Sequence, residues 1–480
     1  MTSNLLILMS DEHQARAMGC AQRGAPHPQV HTPVLDQLAA DGTRFTRAYT
    51  PSPICVPARA AFATGQPVHR IRYWDNAMPY DGAIPGWGHA LQNAGVPVES
   101  IGKLHYRNPE DDLGFDRLHV PMMVSGPGQI WGSIRKAHER RQRSGGRMLG
   151  DEIGPGHSKY TRYDTGVVAR TQDWLADRAA RAETAPWCLY VGLVAPHFPL
   201  QVPQRFFDLY DGAMTGAAKL HPRDGHARHP WIEQMVALND HEAQFADPEE
   251  RVRAMAAYFG LVSWLDHNIG LILQALEDHG LAENTTVVYT SDHGDNVGAR
   301  GLWGKSNLYE ESAAIPMILR GPGIAAGATC DTPVSLLDLS ATAAQHFGQT
   351  LPDCPGTPLP EIAAAPTDPD RVVFSEYHAV GAVSGAFMVV KGRYKLIHYE
   401  GFPPELFDLR ADPEELENRA ADPALAEVLA DMQATLQSIC DPTRIDELAH
   451  ADQRDLVASV GGIDVALNMG PSGATPPPEL

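Results

Sequence analysis

The stretch Ser52-Pro53-Ile54-Cys55-Val56-Pro57-Ala58-Arg59 sets a cysteine four residues before an arginine, at what reads as the start of a helix. Proline is tolerated in a first helical turn, Ala58-Arg59-Ala60-Ala61-Phe62-Ala63 favours helix, and Gly65 can end it. One turn of helix puts the thiol and the guanidinium on the same face. The amino end of such a helix, with its unpaired N–H groups, favours an anion. The bland reading of Cys55 is an inert buried thiol, the role expected of the other five cysteines.

Around this helix the first 350 residues alternate short apolar runs with longer helical patterns, the signature of an α/β fold with a mostly parallel sheet flanked by helices. Residues 4–10 form one buried strand candidate and residues 285–291 another. Thr32-Pro33 ahead of Val34, Leu35 and Leu38, with Gly42 behind, predicts a capped helix. Val252, Met255, Phe259, Val262, Leu265, Ile269, Leu273 and Leu276 step by three and four, and Gly280 closes this long amphipathic helix. Residues 136–163, rich in Arg, Gly and Ser, read as an excursion over the surface that covers a site. After a Pro-rich passage at 351–369, two strand-like runs around Lys391-Gly392-Arg393 predict a hairpin in a small antiparallel subdomain. The expected division is a catalytic unit over 1–365, a C-terminal antiparallel-sheet subdomain over 366–440, and a tail over 441–480. The tail carries a weak helical stretch and drapes over the body or a neighbouring subunit.

A chain of 480 residues, 43% of them hydrophobic, can bury a large core. Lys+Arg 38 against Asp+Glu 59 gives a net charge of −21, which disfavours nucleic acid and anionic membranes as partners. An anionic substrate then needs a local cationic pocket. The six cysteines show no paired spacing, which argues against a disulfide framework and for a reducing compartment. The first apolar run is too short for a signal peptide's core and lacks a basic flank, and no run reaches the roughly 18 apolar residues of a membrane span. A cytoplasmic location is expected.

Four strand-like runs end in residues of one chemical kind: Asp11 after the first, Lys103 and His105 after the second, His197 after the third, Asp292 and His293 after the fourth. Open parallel sheets bind ligands beyond the carboxyl ends of their strands, so these side chains are expected to converge. Asp11 and Asp292, with Glu12 as a third oxygen donor and His293 as a nitrogen donor, suit a divalent cation such as Ca²⁺, Mg²⁺ or Mn²⁺. The alternative is that Asp11 caps a helix and Asp292-His293 belongs to a polar turn. Arg59, Lys103 and Lys305 supply positive charge for a tetrahedral oxyanion. His105 and His197 can shuttle protons near neutral pH. Tyr73, Trp74, Asn76, Tyr106 and Trp131 are candidate pocket walls whose aromatic faces suit a quaternary ammonium, and Glu376 is a candidate carboxylate opposite a cationic group.

Taken in order, these motifs resemble those of the type I sulfatases of the alkaline phosphatase superfamily. Asp11-Glu12 is similar to that family's amino-terminal metal motif, and the stretch around Cys55 to its nucleophile motif. Gly102-Lys103-Leu104-His105, Pro196-His197, Ser291-Asp292-His293-Gly294 and Gly301-Leu302-Trp303-Gly304-Lys305 match the motifs that follow. Glu405-Leu406-Phe407-Asp408-Leu409 and the Asp412-Pro413-Glu414 stretch resemble its carboxy-terminal subdomain. Glu12 departs from the aspartate common in sulfatases, and His293 from the asparagine. Choline sulfatases and phosphonate monoester hydrolases carry histidine there, and Asp75-Asn76 with Ser375-Glu376-Tyr377-His378 resembles the choline sulfatase branch.

The resemblance implies hydrolysis of a small sulfate monoester by a formylglycine that a maturation enzyme makes from Cys55, with one divalent cation, calcium first. A hydrated aldehyde would offer one hydroxyl to attack sulfur and a second whose collapse expels sulfate. In that scheme Arg59 supports the aldehyde, Lys103 and Lys305 hold sulfate oxygens, His197 protonates the leaving alcohol and His105 triggers sulfate release. It also implies a homo-oligomer, dimer or tetramer. The competing readings are a phosphonate monoester or phosphodiester hydrolase, and a non-catalytic anion- or metal-binding relative with Cys55 unmodified.

Overall fold

The computed structural model describes residues 3–21, 29–139, 148–181, 185–214, 219–470 and 475–479. Eight strands build one sheet: β1 (Asn4–Asp11), β2 (Thr43–Phe45), β3 (Val98–Lys103), β4 (Arg117–Met122), β5 (Cys188–Pro196), β6 (Thr285–Ser291), β7 (Met317–Arg320) and β8 (Ala328–Cys330), in the order β8-β2-β7-β6-β1-β5-β3-β4. The run from β6 through β1, β5 and β3 to β4 is parallel, with β7 antiparallel to both β6 and β2. Every residue of β1, β5 and β6 is buried, which is why these strands read as unbroken apolar runs and not as alternating ones.

Helices cover both faces. α1 (Pro33–Ala40), α3 (Lys159–Ala180) and the 31-residue α4 (Pro248–Asp278) pack on one side; α2 (Cys55–Thr64) and α5 (Leu336–His346) pack on the other. The expected start of α1 is right but its cap is not. The Thr32 hydroxyl binds Asp36 instead, and the first-turn N–H groups of Val34 and Leu35 donate to Asp266 of α4 at 3.2 and 2.8 Å. A tertiary carboxylate has displaced the local one. The surface excursion expected over 136–163 ends earlier: Ser158 caps α3 by accepting from the Thr161 N–H, and Lys159 to Tyr163 are helical. Residues 140–147 of that excursion lie outside the described ones.

The hairpin forms as expected. β9 (Val372–Tyr377), β10 (Ala386–Lys391), β11 (Tyr394–Tyr399) and β12 (Glu405–Asp408) make a four-stranded antiparallel sheet, with α6 (Ala426–Ile439) packed against it. A buried charge joins this sheet to the large unit: Lys395 Nζ of β11 lies 3.0 Å from Glu310, just ahead of β7, and 2.7 Å from Glu415, beyond β12. The helical part of the tail, α7 (Pro442–Ser459), returns to the body, where Gln453 donates to Asp75 and to the His378 carbonyl. Among the described residues no helix is long and apolar enough to cross a membrane.

β3 and β5 approach so closely at Gly192 that a Cβ there would sit 2.0 Å from the Lys103 carbonyl oxygen. Replacing Gly192 by Ala forces backbone apart at the strand that carries Lys103. Overpacking of this kind costs about 1–3 kcal/mol. The expected result is a lowered thermal melting midpoint, and an unchanged midpoint would contradict this packing.

Candidate functional site

The carboxyl ends of β1, β3, β5 and β6 lie side by side, so residues hundreds of positions apart in sequence meet there, as open parallel sheets dictate. Asp11 closes β1, Lys103 closes β3, His197 follows β5, and Asp292-His293 follows β6. Over them sits α2, which begins at Cys55 and stops at Gly65, whose left-handed φ of 70° suits glycine.

Arg59, one turn into α2, is 1% exposed and pins the helix down. Its Nε donates to Asp292 at 2.8 Å and its Nη2 to Asp11 at 3.1 Å. Its Nη1 donates to the Lys103 carbonyl at 3.1 Å and to the Tyr190 hydroxyl at 2.9 Å. With those donors committed to the carboxylates and the sheet, Arg59 lies beneath the cavity, not on its wall. It does not meet the expectation of a direct oxyanion grip. Cys55 Sγ is 3.5 Å from Asp11 Oδ1 and 3.2 Å from His293 Nε2. Burial, with Asp11 next, pushes the thiol up to about 11, so the unmodified side chain is a protonated, weak nucleophile.

The donor set fits a divalent cation. Asp11, Cys55, Asp292 and His293 form one fully buried cluster with ligand atoms within 4.8 Å of one another, and Asp11, Glu12 and His197 form a second that shares Asp11. His293 Nδ1 lies 3.0 Å from the Gly294 carbonyl, which can only accept, so the ring proton sits there and Nε2 presents a lone pair. Glu12 Oε1 is buried with no hydrogen-bond partner among the described residues. Such an orphaned oxygen is costly unless something positive meets it. Burial is the main reason the Glu12 carboxyl is held well above the usual carboxylate range. Burial pulls Asp11 the same way, but Lys103 and then His197 overcome it and hold Asp11 well below that range.

Above this floor lies a cavity of about 150 Å³ whose walls include Cys55, Lys103, His105, His197 and Lys305. Lys103 Nζ lies 2.5 Å from Asp11, and Lys305 Nζ lies 3.1 Å from Glu12. Burial opposes the charge on Lys305, yet Cys55 and Glu12 hold it above its ordinary value. His197 Nδ1 is 2.6 Å from the Phe198 carbonyl, leaving Nε2 facing Glu12 at 3.3 Å. Burial and the nearby Lys305 depress His197 well below its usual value, and burial with Lys103 does the same to His105. Glu12, His105 and Ser306 adopt left-handed φ of 71°, 58° and 84°, strained conformations of the kind that surrounding structure maintains at functional sites.

Of the candidate pocket residues, Asn76 and Trp131 line the cavity, and Asn76 also ties it to α2 by accepting from the Val56 N–H at 3.4 Å. Tyr106 is not on it: its ring packs edge-on against Tyr80 in the core, 4.9 Å between centroids. Glu376 is not on it either. It accepts from the backbone and side chain of His69, each at 2.8 Å, and sits 3.0 Å from His378, and these imidazoles hold its carboxyl down to about 2 against burial. Tyr73 and Trp74 turn to Asp81 and Asp452. Residues the motifs did not single out complete the site. Asp164 of α3 accepts from the N–H groups of Val194 and Ala195, both at 2.8 Å, and fixes the chain that leads to His197. Tyr160 and Thr475 stand on the cavity wall.

A family model described as "Sulfatase" matches residues 3–349, and one described as "N-sulphoglucosamine sulphohydrolase, C-terminal" matches residues 298–441. The choline-sulfatase of Rhizobium meliloti (strain 1021) is 33% identical over 436 residues, which cover 88% of this chain and 83% of that one. Arylsulfatase K of Danio rerio is 27% identical over 483 residues, 93% of this chain and 85% of that one. The phosphonate monoester hydrolase of Agrobacterium radiobacter shares the fold, with a TM-score of 0.73 at 22% identity over 94% of this chain and 96% of that one. A protein solved with its substrate D-glucosamine-2-N,6-O-disulfate shares it with a TM-score of 0.70 at 23% identity, over 94% and 99%. The match across more than two thirds of the sequence, on a sheet whose strand ends carry the motifs, makes this chain a member of the sulfatase family of sulfuric ester hydrolases, similar to its choline-sulfatase branch.

Proposed function

We propose that the protein hydrolyses a small sulfate monoester to an alcohol and inorganic sulfate, with position 55 carried as formylglycine and one divalent cation, calcium first, held by Asp11, Glu12, Asp292 and His293. The observation that carries this reading is Cys55 set against Asp11 and His293 at the floor of a cavity walled by Lys103, His197 and Lys305. When present, the cation supplies Lewis acidity and the hydrated aldehyde supplies a nucleophilic hydroxyl.

The chain's own residues do the rest. Arg59 holds Asp11 and Asp292 together and fixes the first turn of α2, so position 55 stays over the carboxylates. Asp11 and Asp292 are met by Arg59 and Lys103, and Glu12 by Lys305, so a divalent cation added beside them would give the floor the sign a sulfate ester needs. Lys103 and Lys305 reach both the carboxylates and the cavity, and there they bind ester oxygens. His197 keeps its Nδ1 proton on the Phe198 carbonyl and turns Nε2 toward Glu12 and the cavity, so Nε2 is the atom through which a proton reaches a leaving alkoxide. Beyond these groups the cavity wall includes Trp131, Ile232, Met235, Leu238 and Val380, which suits an alcohol with an apolar or methylated-ammonium face.

Cys55 is 2% exposed, so a maturation enzyme would act before α2 docks. The six free cysteines support a reducing, cytoplasmic setting. The fold shared with phosphonate monoester hydrolases gives the second reading, phosphonate or phosphodiester hydrolysis.

Intact mass of protein from its native host is expected about 18 Da below the sequence mass, or back at it once hydrated. A cysteine that stays unconverted beside an inactive protein would leave an anion- or metal-binding relative. Rates on aryl sulfate, phosphodiester and phosphonate esters should favour the sulfate, and a phosphonate preference of several orders of magnitude would reverse the assignment. Lys103→Ala is expected to lower kcat/KM by about 10²–10³-fold, the scale of losing one oxyanion donor. Calcium added at a hundredfold excess over its Kd to chelator-stripped protein should stabilise it by about 2.7 kcal/mol. Asp292→Asn should abolish that gain, and equal shifts in both proteins would remove the metal assignment.

A further inference from the structure

We infer that Thr475, carried into the catalytic cavity by the carboxy-terminal segment, is a positioning residue for His105; the inference rests on the sulfatase reading of that cavity. Thr475 is 9% exposed and lies on the cavity wall beside His105 and Tyr160. Its hydroxyl oxygen is 2.8 Å from His105 Nε2, and its carbonyl accepts from the Tyr160 hydroxyl. Tyr160 in turn stands edge-on to the His197 ring, 5.7 Å between centroids. One residue near the end of the chain thus touches His105 directly and His197 through a single intermediary.

Two further features anchor the segment. Ile463, Leu467 and Met469 pack on the apolar cluster that holds Trp131, a wall of the same cavity. Gly470, with a left-handed φ of 88°, lies so close to Gly128 that a Cβ there would sit 1.9 Å from the Gly128 carbonyl oxygen. Gly128 is itself on the cavity wall. The backbone contact and the hydroxyl contact are separate, and both bring the end of the chain to the same place.

His105 needs such a partner. Its ring is buried, its backbone is held at a left-handed φ of 58°, and its Nδ1 has no hydrogen-bond partner among the described residues. The Thr475 hydroxyl is therefore what sets the ring's rotation. It fixes the ring without choosing the tautomer, because the hydroxyl can donate to a bare Nε2 or accept from a protonated one. Either way the cavity receives one defined orientation of an imidazole that would otherwise have two free nitrogens.

The test compares Thr475→Val, which keeps the shape and removes the hydroxyl, with Thr475→Ser, which keeps the hydroxyl. Thr475→Val should lower kcat at least tenfold, a part of the roughly 10²–10⁴ that a positioned proton-transfer group contributes, with KM within about twofold. Thr475→Ser should restore most of the loss. The His105 imidazole ¹⁵N signals, assigned against His105→Gln, should move in the Val variant and stay in the Ser variant. Gly470→Ala, which displaces the anchor without touching the hydroxyl, should reproduce the fall in kcat. Equal kcat in wild type and Thr475→Val, or an unmoved ring signal, overturns the inference. A converted wild-type protein with no sulfate-ester turnover would instead defeat the sulfatase reading, and the ring signal would still decide whether Thr475 holds His105.

Discussion

Asp11 and Asp292 end neighbouring parallel strands, and two buried carboxylates in adjacent positions repel unless positive charge is placed between them. Arg59 supplies that charge from a third element, the helix that begins at Cys55. The same guanidinium that makes the two acids compatible also fixes where the nucleophile helix can lie. Removing one partner of such a buried pair leaves an uncompensated charge, which costs about 3–5 kcal/mol. The arrangement of the site and the docking of α2 on the sheet are therefore one interaction.

The chain solves a second electrostatic problem by segregation. Its net charge is −21, yet Lys103, His105, His197 and Lys305 line one cavity. Each lysine is held by a buried carboxylate below it, so the cationic wall rests on acids that themselves need counter-charge. An acidic protein can present an anion site in this way because the local field near buried groups outweighs the distant, solvent-screened surface charge.

The fold and the floor of the site were legible in sequence because both follow from short-range rules. Apolar runs in β1, β5 and β6 announced buried parallel strands, and the residues after each run belong at the carboxyl edge by topology alone. The walls were less legible because they depend on which way a side chain turns. Tyr106 and Glu376 have the right chemistry, but the core takes one and two imidazoles take the other. Asp164, Tyr160 and Thr475 sit in no motif, since a single hydroxyl or carboxylate reaching across 30 to 370 residues leaves no local pattern. The cap of α1 failed as a local reading for the same reason, with Asp266 reaching over from α4.

The ammonium of Lys395 lies between Glu310 and Glu415, one on each side of the junction between the two sheets; Lys395 and Glu415 are buried and Glu310 is partly so. Neither sheet could be exchanged for that of a distant homologue without stranding an ion in a medium that cannot solvate it. The two layers are thus obliged to be inherited as a pair, and a chimera joined between them would succeed only if it carried both sides of this triad across together.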